Sequence, residues 1–183
     1  MRAGASERGA SALWISLLTA ASTATTLALA CATPFPALAA LAATHMRRRD
    51  GIALMLLAWT ASQLVGFFLL GYPRDGSTLG WGAALATAAV GSALAAYAAL
   101  GALAHRSVAA RLSLAYAAGF TAFKGIILLW ALVLGGLHTA MAPDLLAEQF
   151  VRNGAILIGL YLVYRLLVAA GVPAPPRTAA AAG

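Results

Sequence analysis

An all-α, polytopic membrane protein is the architecture this chain points to, on three observations. Its 183 residues are 62% hydrophobic and only 9% charged. Mean hydropathy is +0.88, above that of water-soluble domains of this size. The apolar residues fall into blocks separated by short polar stretches, and most blocks are long enough to cross a bilayer. Six spans are expected, with the second one short.

The blocks follow in order. Residues 1–10 are polar and basic, with Arg2, Glu7 and Arg8. The first apolar run covers 11–31 and ends at Cys31, the single cysteine. Ala32-Thr33-Pro34-Phe35-Pro36 follows, and two prolines two residues apart do not continue a regular helix. The second run, 34–46, reaches only about 20 Å at about 1.5 Å per residue, against a hydrocarbon core of about 30 Å. It is a short span or a re-entrant segment, closed by Arg47-Arg48-Arg49-Asp50. The third run covers 51–71 and stops at Tyr72-Pro73-Arg74-Asp75-Gly76. The fourth covers 79–104 and stops at His105-Arg106. A fifth runs over 110–137, followed by His138 and Pro143, and a sixth over 150–170. Residues 1–170 thus read as one transmembrane domain, and 171–183, rich in Pro and Ala, as a disordered tail.

Arginine placement orients the bundle. With the N-terminus in the cytoplasm, Arg2, Arg8, Arg47, Arg48, Arg49, Arg106, Arg111, Arg165 and Arg177 all fall inside. The outer side receives Arg74 and Arg152, offset by Asp75, Asp144 and Glu148. Both termini are then inside. Cys31, the 72–78 loop and the 138–148 connection share the outer face. A second reading of the N-terminus stays open: two arginines, an apolar stretch and Ala28-Leu29-Ala30-Cys31 have the layout of a lipoprotein signal peptide.

Composition also excludes functions. One cysteine rules out an internal disulfide and a multi-cysteine zinc site. The net charge of +7 comes from arginines flanking apolar runs, and no basic stripe interleaved with aromatics marks a nucleic-acid surface. No phosphate loop, nucleophile elbow, metal-ligand spacing or paired carboxylate supports an enzyme.

Several residues stand out. Small side chains recur every four positions along the first run, at Ala12, Ser16, Ala20, Ala24, Ala28 and Ala32. Such a stripe packs a neighbouring helix closely, within the bundle or in another membrane protein. Lys124 lies mid-span in the fifth run, where a charge must face the interior, a cavity or a partner, and no mid-span carboxylate matches it. Gln63 is the other deep polar residue, on one helix face with Trp59, Gly66 and Phe67. It is a helix–helix hydrogen bonder or a ligand contact. Phe35, Tyr72 and Trp81 gather on the side of Cys31, as interfacial anchors or as pocket walls. His45 and His105 lie at the cytoplasmic ends of their runs and His138 at the outer end.

Taken together, the six spans, the small-residue stripe and the short second span after a proline-containing outer loop resemble the substrate-binding S components of energy-coupling factor vitamin transporters. The resemblance implies a vitamin bound near the outer surface, and a first-helix stripe (Ser16, Ala20, Ala24, Ala28) docked on a transmembrane coupling subunit that works with ATPases. It also implies a bacterial inner membrane location. Cys31 is similar in kind to the cysteine of the solitary cobalamin-binding branch, whose thiolate is an axial ligand of cobalt. Under that resemblance Cys31 ligates the cobalt of cobalamin. Phe35, Tyr72, Trp81, Lys124 and Gln63 line the pocket, and cyanide removal from cyanocobalamin is a side activity. Two other readings stand beside it: an accessory or assembly subunit of a larger membrane complex, and a di-histidine haem protein.

Overall fold

The computed structural model describes residues 2–28, 34–101 and 106–176. Among them all regular secondary structure is helical: α1 (Arg2–Ala28), α2 (Phe35–His45), α3 (Arg48–Leu64), α4 (Gly76–Leu100), α5 (Val108–Leu134), the single-turn α6 (Leu137–Ala140) and α7 (Pro143–Ala169). Helix α3 continues as a π-helical stretch, Val65–Leu69. Among the described residues four helices are long and apolar enough to cross a membrane: α3 with its extension, α4, α5 and α7.

Helix α2 is the centre of the bundle. All of its residues from Phe35 to His45 are buried. It packs against α3, α4, α5 and α7. Its alanines (Ala37, Ala39, Ala40, Ala42, Ala43) let those helices approach, while Phe35, Leu38 and Leu41 fill the gaps between them. A Pro at the start of the helix supplies the preset φ of a first turn. The second run is therefore a helix enclosed by protein on all sides. Its length need not match the bilayer because its neighbours, not lipid, surround it. Removal from water is then not the main gain, and close van der Waals packing is.

The helices around it show the expected period. On α7, Asn153, Leu157, Leu160 and Tyr164 are buried, while Ile158, Leu162 and Leu166 are exposed on the other face. Leu129, Leu132 and Val133 of α5 are exposed as well. Outward apolar belts of this extent are what a bilayer covers. Helices α4 and α5 meet through glycines. A Cβ at Gly91 would run into Cδ1 of Ile126, and one at Gly119 would lie 3.0 Å from Ser92 Oγ. The turn after α5 needs left-handed backbone at Gly135 and Gly136, with φ of 86° and 83°.

Helix α1 packs on α3. Its inner face carries Ser11, Trp14, Leu18 and Ser22. Trp14, 1% exposed, tilts against Tyr164 of α7 at 5.0 Å between centroids. Several cross-links hold one end together. Ser11 Oγ donates to Asp50 Oδ2 at 2.7 Å. Arg47 pairs with Glu7 at 2.8 Å. The Tyr97 hydroxyl sits 3.0 Å from the carbonyls of both Ala42 and Arg47, where α2 ends with acceptors open. The arginines at 47–49, Arg106, Arg111 and Arg165 belong to this basic end. Beyond α7, the expected tail begins on the bundle: Val172 packs on the core and the Pro173 carbonyl accepts from Trp14 Nε1 at 2.7 Å. Residues 172–176 have no regular secondary structure, and 177–183 lie outside the described residues.

Candidate functional site

The end opposite the basic one holds a pocket of about 240 Å³. Four elements build it. Helix α2 contributes its first residues, Phe35 and Pro36. Helix α4 contributes Trp81 and Leu85, one turn apart. Helix α5 presents Phe120, Phe123, Lys124 and Ile127, an i, i+3, i+4, i+7 face. Helix α7 presents Gln149, Arg152 and Asn153.

The walls are aromatic. Phe35 is 0% exposed, and its ring lies 6.1 Å from that of Phe123. Phe120 stands edge-on to Phe150 at 5.0 Å. Trp81 lies under the turn at Gly136, with Cζ2 3.9 Å from where a Cβ would be.

The polar groups are cations and amides. Lys124 and Arg152 both line the pocket, and among the described residues no Asp or Glu does. Lys124, the chain's only lysine, makes no hydrogen bond or ion pair among the described residues. Arg152 gives one terminal nitrogen to Glu148 Oε1 at 3.2 Å, one turn back on α7. Its Nε is buried and unpartnered among the described residues. Asn153 donates from Nδ2 to the Gln149 carbonyl at 2.9 Å, and its Oδ1 is buried without a donor. Buried polar atoms normally have partners, and here two without one, Arg152 Nε and Asn153 Oδ1, belong to residues that line one cavity with Lys124.

The expected site residues divide into groups. Phe35, Trp81 and Lys124 come together in this pocket. Gln63 lines a separate groove between α3 and α4 with Trp59 and Phe67. There it packs on Gly82, whose carbonyl accepts from Trp59 Nε1 at 2.8 Å. Tyr72 folds back on the π-helical stretch, with its ring where a Gly66 side chain would be and edge-on to Phe67 at 6.4 Å. Neither Gln63 nor Tyr72 lines the pocket. Cys31 lies outside the described residues, three positions before Pro34 in the chain. Ala12, Ser16, Ala20 and Ala24 form the exposed face of α1, opposite Trp14, Leu18 and Ser22. The side chain of Ala28 is outside the described residues.

Gln149, Arg152 and Asn153 were not singled out from the sequence, where Arg152 reads as an outer-loop charge. The signal was Pro143-Asp144, a proline at the first helical position with an acid in the first turn. It starts α7 about two turns before the apolar run. His45 and His138 do not gather. His45 is buried at the basic end, 4.4 Å from the Tyr164 ring, whereas His138 sits on α6 at the pocket end. His105 lies outside the described residues. Among the described residues no cluster of three His, Cys, Asp or Glu forms a metal cage.

No known protein family, curated protein or solved structure matches this chain.

Proposed function

We propose that this chain is a membrane-embedded substrate-binding subunit that captures a small molecule in the pocket between α2, α4, α5 and α7. The observation that carries the reading is the pocket's own chemistry. Aromatic walls, two cations without a facing carboxylate, and buried unpartnered polar atoms form a preorganised receptor rather than an interior that has closed on itself.

Orientation supports capture from outside. The arginines of the basic end belong in the cytoplasm, so the pocket end faces out. In this reading α1, α2, α3, α4, α5 and α7 make six crossings, with both termini inside. The exposed small residues Ser16, Ala20 and Ala24 give a membrane partner, such as a coupling subunit, a face for close approach. The location that follows is a bacterial inner membrane.

The specific form is cobalamin uptake, with the Cys31 thiolate as cobalt ligand. A soft thiolate suits that metal, and Cys31 precedes the pocket's Phe35 by four positions in the chain. A corrinoid exceeds a 240 Å³ cavity, so most of it would lie outside this pocket. The test is the visible spectrum of protein purified from cells supplied with cobalamin. A corrinoid spectrum that shifts in Cys31→Ala supports the cobalamin form. A colourless protein that binds no corrinoid by calorimetry removes that form.

The exposed α1 stripe also favours a second reading, an accessory subunit of a larger membrane complex. The two readings differ at the pocket. An accessory subunit releases no bound small molecule on denaturation, and a capture subunit does.

A further inference from the structure

We propose that the pocket recognises an anion: a small molecule with one carboxylate or phosphate group on an apolar, ring-bearing body. This rests on the reading of the pocket as a capture site and names the class of molecule it takes.

Charge comes first. Lys124 enters from α5 and Arg152 from α7, into one cavity that no acid lines among the described residues. An unpaired ammonium at this depth is costly, and an anionic ligand removes that cost. Arg152 gives one terminal nitrogen to the exposed Glu148 at 3.2 Å, which orients the guanidinium beside the cavity. A planar guanidinium held in this way suits carboxylate or phosphate oxygens.

Shape comes second. Phe35, Phe123 and Trp81 line the rest of the cavity, which suits an apolar, ring-bearing body. Its volume of about 240 Å³ lies below the roughly 300–1,000 Å³ of drug-sized sites, so the enclosed part is small. Asn153 Oδ1, buried and without a donor, asks for one hydroxyl or N–H beside the anion.

Lys124 being the only lysine makes the test specific. Reductive ¹³C-methylation keeps its charge and gives one side-chain resonance, distinct from the N-terminal amine. The full chain in phosphatidylcholine nanodiscs is titrated with phenylacetate, phenyl phosphate and neutral phenylacetamide. The expected result is a saturable shift of the Lys124 resonance by at least one anion, at concentrations at least tenfold below the neutral amide. Arg152→Gln should weaken the anion at least tenfold. Equal response to anion and amide, or no saturable response to either anion, overturns the proposal.

A second arm separates the sources of the anion. If phosphatidylglycerol nanodiscs shift the resonance with no solute added, the anion is a lipid headgroup. The recognition then stands while the capture reading fails. If the neutral amide binds as well as the anions and Arg152→Gln leaves it unchanged, the capture reading stands and the anion assignment fails.

Discussion

Ser11 of α1 donates a 2.7 Å hydrogen bond to Asp50 of α3, with both residues buried. It joins α1 to the start of α3. Arg49 approaches the same carboxylate at 3.6 Å but is itself largely exposed. Ser11→Ala leaves a buried acceptor short of a donor and should cost about 1–3 kcal/mol. The check is thermal unfolding in detergent, followed by helical circular dichroism. Asp50→Asn should cost less, since an amide still accepts from Ser11.

Gly51 is tied to Tyr97 by space. A Cβ at position 51 would overlap the Tyr97 hydroxyl, which serves the carbonyls at the end of α2. Gly51→Ala should therefore push Tyr97 off those carbonyls and lower the melting temperature more than Tyr97→Phe, which leaves the ring in place. Measuring both variants side by side checks the order. If Gly51→Ala is neutral, the helices shift to absorb the methyl.

Asp75 caps α4 by accepting from the Thr78 amide at 2.7 Å, and that backbone hydrogen bond holds its carboxyl below the ordinary 3.8. The folded value lies below the unfolded one. The stabilising effect is thus complete above the unfolded value and is lost as pH falls through the folded value. Protection factors of the amides at the start of α4 should be flat at neutral pH and fall only in strong acid. Asp75→Ala should remove that pH dependence and fray the first turn at every pH.

The exposed stripe of α1 makes a different kind of prediction. Ala20 and Ala24 face away from Trp14 and Leu18, so Ala20→Leu with Ala24→Leu should leave the melting temperature unchanged within error. For the proposed capture subunit, uptake in cells should be abolished while ligand binding to purified protein persists. Intact uptake would mean that this face meets only lipid.

Much of the architecture could be read directly, and the failures have physical causes. Proline spacing at 34 and 36 and the arginines at 47–49 bracket α2 to within a residue or two. Its place at the centre was not legible, because a short alanine run is equally apolar whether protein or lipid surrounds it. Lys124 announced itself as an unmatched charge in an apolar run. Its companion Arg152 did not, because polar residues at the start of α7 look like loop unless Pro143 is taken as a helix start. Gln63 and Tyr72 show the limit of periodicity: a helix face can be deduced, but not which neighbour it meets. Gln63 meets Gly82 and Tyr72 meets Gly66, both through glycines that leave room for them.

Lys124 and Arg152 are proposed to hold a small molecule in the pocket. Native mass spectrometry of protein extracted gently from its own membrane reads that occupancy. One small-molecule adduct per chain is expected in the unaltered protein, absent in Lys124→Gln with Arg152→Gln at unchanged melting temperature. No adduct on the unaltered protein, or an adduct that persists in the double variant, would contradict it.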